Sequence, residues 1–109
     1  MKHMLKDKKI DLVKITLGQG DFGQPIEIEE PLPNGENIWA YYRHASGSEF
    51  FAAAQTNHKL EVVFIINWRD DLDPTDVKVR YKGELYDITR IDDFEGYKND
   101  IKIYASKLV

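Results

Sequence analysis

The chain has 109 residues, 42% of them hydrophobic and 31% charged, with a formal net charge of −4 and no cysteine. One domain of this size buries roughly 60–70% of its unfolded surface. Disulfide and thiolate chemistry are excluded, and no stretch approaches the ~20 apolar residues that a membrane helix needs. The acidic balance argues against a generic nucleic-acid surface. The lysine-rich start, MKHMLKDKK, is not followed by the apolar run of a secretory signal.

The first predicted element is a strand over 9–17, KIDLVKITL. Ile10 and Leu12 share one face, whereas Val13, Ile15 and Leu17 share the other. Such a change of phase predicts a bulge, or a strand covered on both sides. Residues 18–25, GQGDFGQP, read as a loop. A short strand begins at 26 and is broken by Pro31, Pro33 and Asn34-Gly35. The aromatic run IWAYYRHA over 38–45 predicts another strand.

Residues 46–57, SGSEFFAAAQTN, change character, and the alanines favour helix. Ser48 could cap this helix and Asn57 could end it. A loop that orders only in an assembly is the other reading. Beyond it, period-two alternation dominates. Leu60, Val62, Phe64, Ile66 and Trp68 make one apolar face, and Val63 and Ile65 make the other face apolar as well, so this strand needs cover on both sides. DDLDPTD over 70–76 is a turn. Val77, Val79 and Tyr81 then face inward, Lys82-Gly83 makes a tight hairpin, and Tyr86 and Ile88 continue the inward set. After a turn at 91–96, Ile101, Ile103 and Ala105 face in, while Lys102 and Tyr104 face out. The pattern as a whole predicts a single all-β domain over 1–109: a small antiparallel barrel or sandwich of about six strands, with one short helix or loop inserted at about 46–57.

The charge is uneven. Lys2, Lys6, Lys8, Lys9 and Lys14 outnumber Asp7 and Asp11 near the start, while Glu27, Glu29, Glu30 and Glu36 cluster with no base among residues 26–36. That asymmetry suits head-to-tail contact between identical subunits, or simply a solvated surface.

Motifs for chemistry fail on context. Gly18-Gln19-Gly20-Asp21-Phe22-Gly23 matches G-x-G-x-x-G, but Pro25 and the alternating IEIE follow where a phosphate-binding helix should open. Aligned from Asp71, a calcium loop would need Gly at Asp76 and Glu at Lys82. His3, His44 and His58 lack zinc-ligand spacing, and ASGSE around Ser46 and Ser48 is no nucleophile elbow. No catalytic, cofactor-binding or metal-binding residue is expected. Trp39, Tyr41 and Tyr42 could form a stacking platform for single-stranded nucleic acid or carbohydrate. Aromatic residues on strands more often belong to a core or to cross-strand pairs.

Several segments resemble the bacteriophage head–tail joining family, the head-closure or stopper proteins. They are DFG (21–23) with IWA (38–40), SGSEFFAAAQ (46–55), VVFIINWR (62–69) and, above all, VRYKGELYDITRIDD (79–93). The chain departs from the family pattern at Asp76-Val77 and at Tyr97-Lys98-Asn99, where an Arg is common, and these departures put particular ion pairs between subunits in doubt. The resemblance implies a non-enzymatic virion protein, or its prophage-encoded copy, assembled in the host bacterial cytoplasm. It implies a homo-oligomeric ring beneath the portal that closes the DNA-filled head and docks the tail. The implied partners are other copies of itself, a portal or adaptor protein, a tail-completion protein, and genomic DNA that passes without specific binding. By the same resemblance the insertion would line or plug the channel, through Ser46, Gly47, Ser48, Glu49, Phe50, Phe51, Gln55, Thr56 and Asn57, with Glu49 its ionisable group.

Overall fold

The computed structural model describes residues 5–55, 61–96 and 98–107, without the side chains of Phe50 and Ala53. In chain order the elements are β1 (Lys8–Gln19), β2 (Pro25–Pro31), β3 (Ile38–His44), α1 (Gly47–Gln55), β4 (Val62–Asn67), β5 (Val77–Tyr81), β6 (Glu84–Asp92) and β7 (Asp100–Lys107). Every strand pairing is antiparallel. Running β1-β3-β4-β7-β6-β5, the sheet returns to β1 and closes a six-stranded barrel, with β2 outside the ring. The all-β expectation holds, and the short helix stands where 46–57 predicted one.

Period-two alternation explains the core. Ile10, Leu12, Ala40, Val62, Phe64, Ile66, Val77, Val79, Ile88, Ile101, Ile103 and Ala105 are buried together inside the barrel. Phe64 anchors an aromatic cluster, its ring edge-on to Tyr81 at 5.6 Å and to Tyr86 at 5.7 Å. Tyr42 completes the cluster, 4.9 Å from Tyr81. Burying each side chain of this size contributes about 1.5–3 kcal/mol. The doubly apolar β4 does have two covered faces. Val63 and Ile65 lie on the outside of the sheet, yet are buried in a second small cluster with Tyr104, flanked by Tyr41 and Ala45.

Turn chemistry follows the residues. Lys82 and Gly83 both take positive φ, 51° and 77°, the conformation that joins twisted strands through a two-residue turn. Asp73 accepts hydrogen bonds from the Thr75 backbone N–H and hydroxyl, which accounts for part of the acidic cluster at 70–76 as turn chemistry. A register shift between Ile88 and Arg90 interrupts the β6–β7 ladder, and the Thr89 hydroxyl there donates to the Tyr104 carbonyl.

The phase change in β1 is neither a bulge nor two-sided cover along its length. Lys8–Ile10 pair with β3 and Asp11–Lys14 pair with β5, both within the barrel wall. From Val13 to Gln19 the strand pairs with β2 and runs out of the barrel as a two-stranded arm. Val13 is buried at its root, whereas Leu17 is 77% exposed. The gap between β2 and β3 is filled by the 32–35 segment: Leu32 N–H donates to the Leu12 carbonyl, and Leu12 N–H donates to Gly35. A Cβ at Gly35 would lie 2.8 Å from the backbone oxygens of both Leu12 and Leu32, so only glycine fits. Gly18-Gln19-Gly20-Asp21-Phe22-Gly23 forms the end and tip of this arm, closed by Gly20 N–H donating to Gln24 O.

Because β1 is antiparallel to β3 and β5, the arm leaves the end of the barrel where those strands begin. The 45–61 insertion leaves the end where β3 finishes. The molecule is accordingly elongated, 56 × 32 × 27 Å.

Candidate functional site

The insertion enters and leaves the barrel at one point, where Ala45 N–H donates to the Glu61 carbonyl at 3.1 Å. Its helix starts with a reciprocal cap. Glu49 N–H donates to Ser46 Oγ at 3.3 Å, and Ser46 N–H donates to Glu49 Oε1 at 2.9 Å. This S-x-x-E box satisfies two backbone donors at once. The capping residue is therefore Ser46 rather than Ser48, whose hydroxyl lies 3.3 Å from that of Ser46.

The rest of the Glu49 carboxylate is turned back onto the barrel wall. Arg43 on β3 grips it with two nitrogens, at 2.6 and 2.9 Å, and Lys102 on β7 approaches it at 3.2 Å. The register places both cations on the outer face: Arg43 pairs with Val63, and Lys102 pairs with Ile65. The Arg43 hydrogen bonds, aided by Ser46 and Lys102, hold the Glu49 carboxyl far below the usual carboxylate range, although burial opposes them. Tyr104, predicted to face outward, does so and is still buried. The Arg90 guanidinium lies 4.2 Å from its ring centre and the Lys102 ammonium 5.0 Å, with the cations roofing the second cluster.

Beside the cap, at the barrel mouth, is an open dish of about 730 Å³ lined by Tyr42, His44, Phe51, Val62, Tyr86 and Lys107, among others. Burial raises the Tyr86 hydroxyl above its ordinary pKa, and burial with Tyr81 does the same for Tyr42. Neither tyrosine is thereby made a better acid. Among the described residues no group of three His, Cys, Asp or Glu side chains could hold a metal, and no helix is long and apolar enough to cross a membrane.

Of the residues expected in the channel-lining segment, Ser46 and Glu49 are the cap and tether. Gly47, Ser48 and Gln55 are exposed, and Phe51 is 67% exposed at the edge of the dish. Thr56 and Asn57 lie outside the described residues, as do His3 and His58, and so does the side chain of Phe50. Arg43 and Lys102 were not anticipated. The capping-box spacing is the one sequence signal that marks Glu49 as inward-turned; its cations come from strands brought close only by the barrel. The three aromatics of the expected platform do not share one face, because β3 alternates. Trp39 and Tyr41 lie on the outer face, whereas Tyr42 points inward against Phe64 at 5.4 Å.

The fold and the site together define a closed β-barrel that carries an electrostatically tethered insertion at one end and a strand arm at the other. The chain belongs to the phage head completion protein family, whose model matches residues 1–107. Its fold is similar to the solution structure of protein SF1141 from Shigella flexneri 2a, with a TM-score of 0.74 at 17% identity, covering 98% of this chain and 96% of that one. No curated protein matches the chain. Family membership implies a structural role in closing the phage head, contact with other head or tail proteins, and a place in the virion.

Proposed function

We propose that this protein is the subunit of a ring seated beneath the portal, which seals the DNA channel after packaging and offers the tail its docking surface. The chain acts mechanically, without catalysis. The insertion at 46–57 lines or plugs the channel, and DNA passes it without specific binding. The observation that carries this reading is the tethered cap, in a chain of the head completion family. Glu49 is the one charged residue in α1, and it is spent on Arg43 and Lys102. Among the described side chains the helix offers outward Ser48, Phe51, Ala52, Ala54 and Gln55, and none of them is charged. A wall of that kind neither attracts phosphates nor traps a sliding duplex, so retention is steric.

The test is a chain lacking residues 46–57, added to packed heads that lack this protein. Because Ala45 and Glu61 already meet, the shortened chain should keep a cooperative melt and bind the heads, yet fail to hold their DNA. DNA retained by heads carrying the shortened chain would reject the plug assignment.

A further inference from the structure

Among the described residues the β1–β2 arm pairs with no third strand beyond its root, where Ile15 N–H donates to Asp76 O. It exposes Leu17 on one face, Ile26 and Ile28 on the other, and Phe22, 95% exposed, at its tip. Among the described residues no strand pairs with the outer edge of β2. A two-stranded ribbon with apolar groups on both faces is marginal in water by itself, and such an edge invites another chain. The arm is also acidic. Arg80 takes Glu29, but Asp21, Glu27 and Glu30 have no cation among the described residues.

The complement to this surface lies on the barrel of the same sequence. Four described cations lack a carboxylate, and each sits over a ring: Lys9 over Trp39, Lys82 over Tyr81, Arg90 over Tyr104 and Lys98 over Trp68. Tyr81 and Tyr104 are buried and Trp68 is half-buried, whereas Trp39 is 52% exposed. The Lys9–Trp39 pair alone thus offers both an open apolar face and a free charge. Pairing between two β2 edges is disfavoured, since it would bring the carboxylates of Glu27, Glu29 and Glu30 in each copy together.

We infer that the arm is the joint between copies: the apolar, acidic ribbon of one subunit lies on the Lys9–Trp39 wall of the next. This deepens the ring reading and rests on it. Donor and acceptor surfaces differ, so the contact is heterologous and propagates from copy to copy until the rotation closes a ring.

The test replaces the tip residue with a benzophenone photo-crosslinker, Phe22→p-benzoylphenylalanine. Purified chain, and packed heads carrying it, are irradiated. Copy-to-copy linkage in peptides that contain Lys9 or Trp39 is the expected result. With Glu27→Lys and Glu30→Lys added, the yield should fall roughly tenfold, the equivalent of 1.4 kcal/mol of contact, and Lys9→Glu should restore part of it. Linkage only to another head protein, linkage to other peptides of the same chain, or no linkage overturns the joint. Head closure would survive that result if heads lacking the chain still leak and added chain still seals them. Heads that bind no chain and hold their DNA without it sink the head-closure reading instead.

Discussion

The arm and the insertion are both departures from a closed barrel, but they are held in different ways. The arm is a direct continuation of the wall, fixed by backbone pairing from Val13↔Pro31 to Gln19↔Pro25. Its backbone is ordered by its own ladder, and its side chains are left in water. Among the described residues the insertion has no ladder to the barrel beyond the bonds at its two ends, where Ala45 N–H donates to Glu61 O and Glu61 N–H donates to Ala105 O. Among the described residues its helix is tied to the barrel wall through the Glu49 carboxylate, shared by Arg43 and Lys102. A ribbon of the first kind suits a contact surface that must be shaped before its partner arrives, because little order remains to be imposed on binding. A helix tied to the wall through a charged side chain loosens when that charge is removed.

The comparison presumes that the barrel folds without help from either extension, and Phe64→Asp is the severest check of that premise. Phe64 is fully buried between Tyr42, Tyr81 and Tyr86. An unpaired carboxylate there costs several kcal/mol, against a total stability of about 5–15 kcal/mol. The variant should show no cooperative thermal transition by circular dichroism. A soluble variant with a sharp melt would mean that the barrel interior is not where the register places it.

Glu49→Gln comes next. It leaves Arg43 and Lys102 facing a neutral amide, and strands partly buried donors at a cost of about 1–3 kcal/mol. The melting temperature should drop by several degrees, since 1 kcal/mol is worth about 4–8 °C in a domain near this size. Proteolysis should concentrate in 47–55 while the barrel stays protected. The pH dependence has a fixed sign. The folded carboxyl is held below its ordinary value of 4.5, so its contribution is complete above that pH and drains away as the pH falls below it. Wild type should therefore lose its advantage over Glu49→Gln only in acid. An advantage that instead shrinks between neutral and alkaline pH would rule out Glu49 as the tether.

Inward and outward facing was legible throughout, because side-chain alternation is a local property of strands: Val77, Val79 and Tyr81 are inside, as their spacing demands. Partners were not legible. Val13, Ile15 and Leu17 gave an apolar outer face whose meaning depends on β2 and β5, and on where the strand leaves the wall; local pattern cannot tell a covered face from an exposed arm. Tyr104 shows the same limit from the other side. Its outward direction was readable, whereas its burial depends on Arg90, which stands opposite it only once β6 and β7 pair. At the site, the cap lies within four consecutive residues, Ser46 to Glu49, although the sequence reading placed it at Ser48. Lys102, more than fifty residues beyond Glu49, could be found only once β3, β4 and β7 stood side by side.

The smallest expected effect is also the sharpest contrast. Arg80→Ala removes the ion pair that ties Glu29 on the arm to β5, formed through two of its guanidinium nitrogens. By chemistry this is the Arg43–Glu49 pair again. The Glu29 side chain is 37% exposed, however, whereas that of Glu49 is 17%. In water-filled surroundings such a pair is worth about 0–1 kcal/mol, and the β1–β2 ladder holds the arm regardless. Arg80→Ala should therefore leave the melting temperature within a few degrees of wild type. Hydrogen exchange in 25–31 should rise only modestly, and high salt should reduce what difference there is. If Arg80→Ala instead costs as much as Glu49→Gln, the arm is electrostatically pinned like the insertion, and backbone continuity is not what sets the two extensions apart.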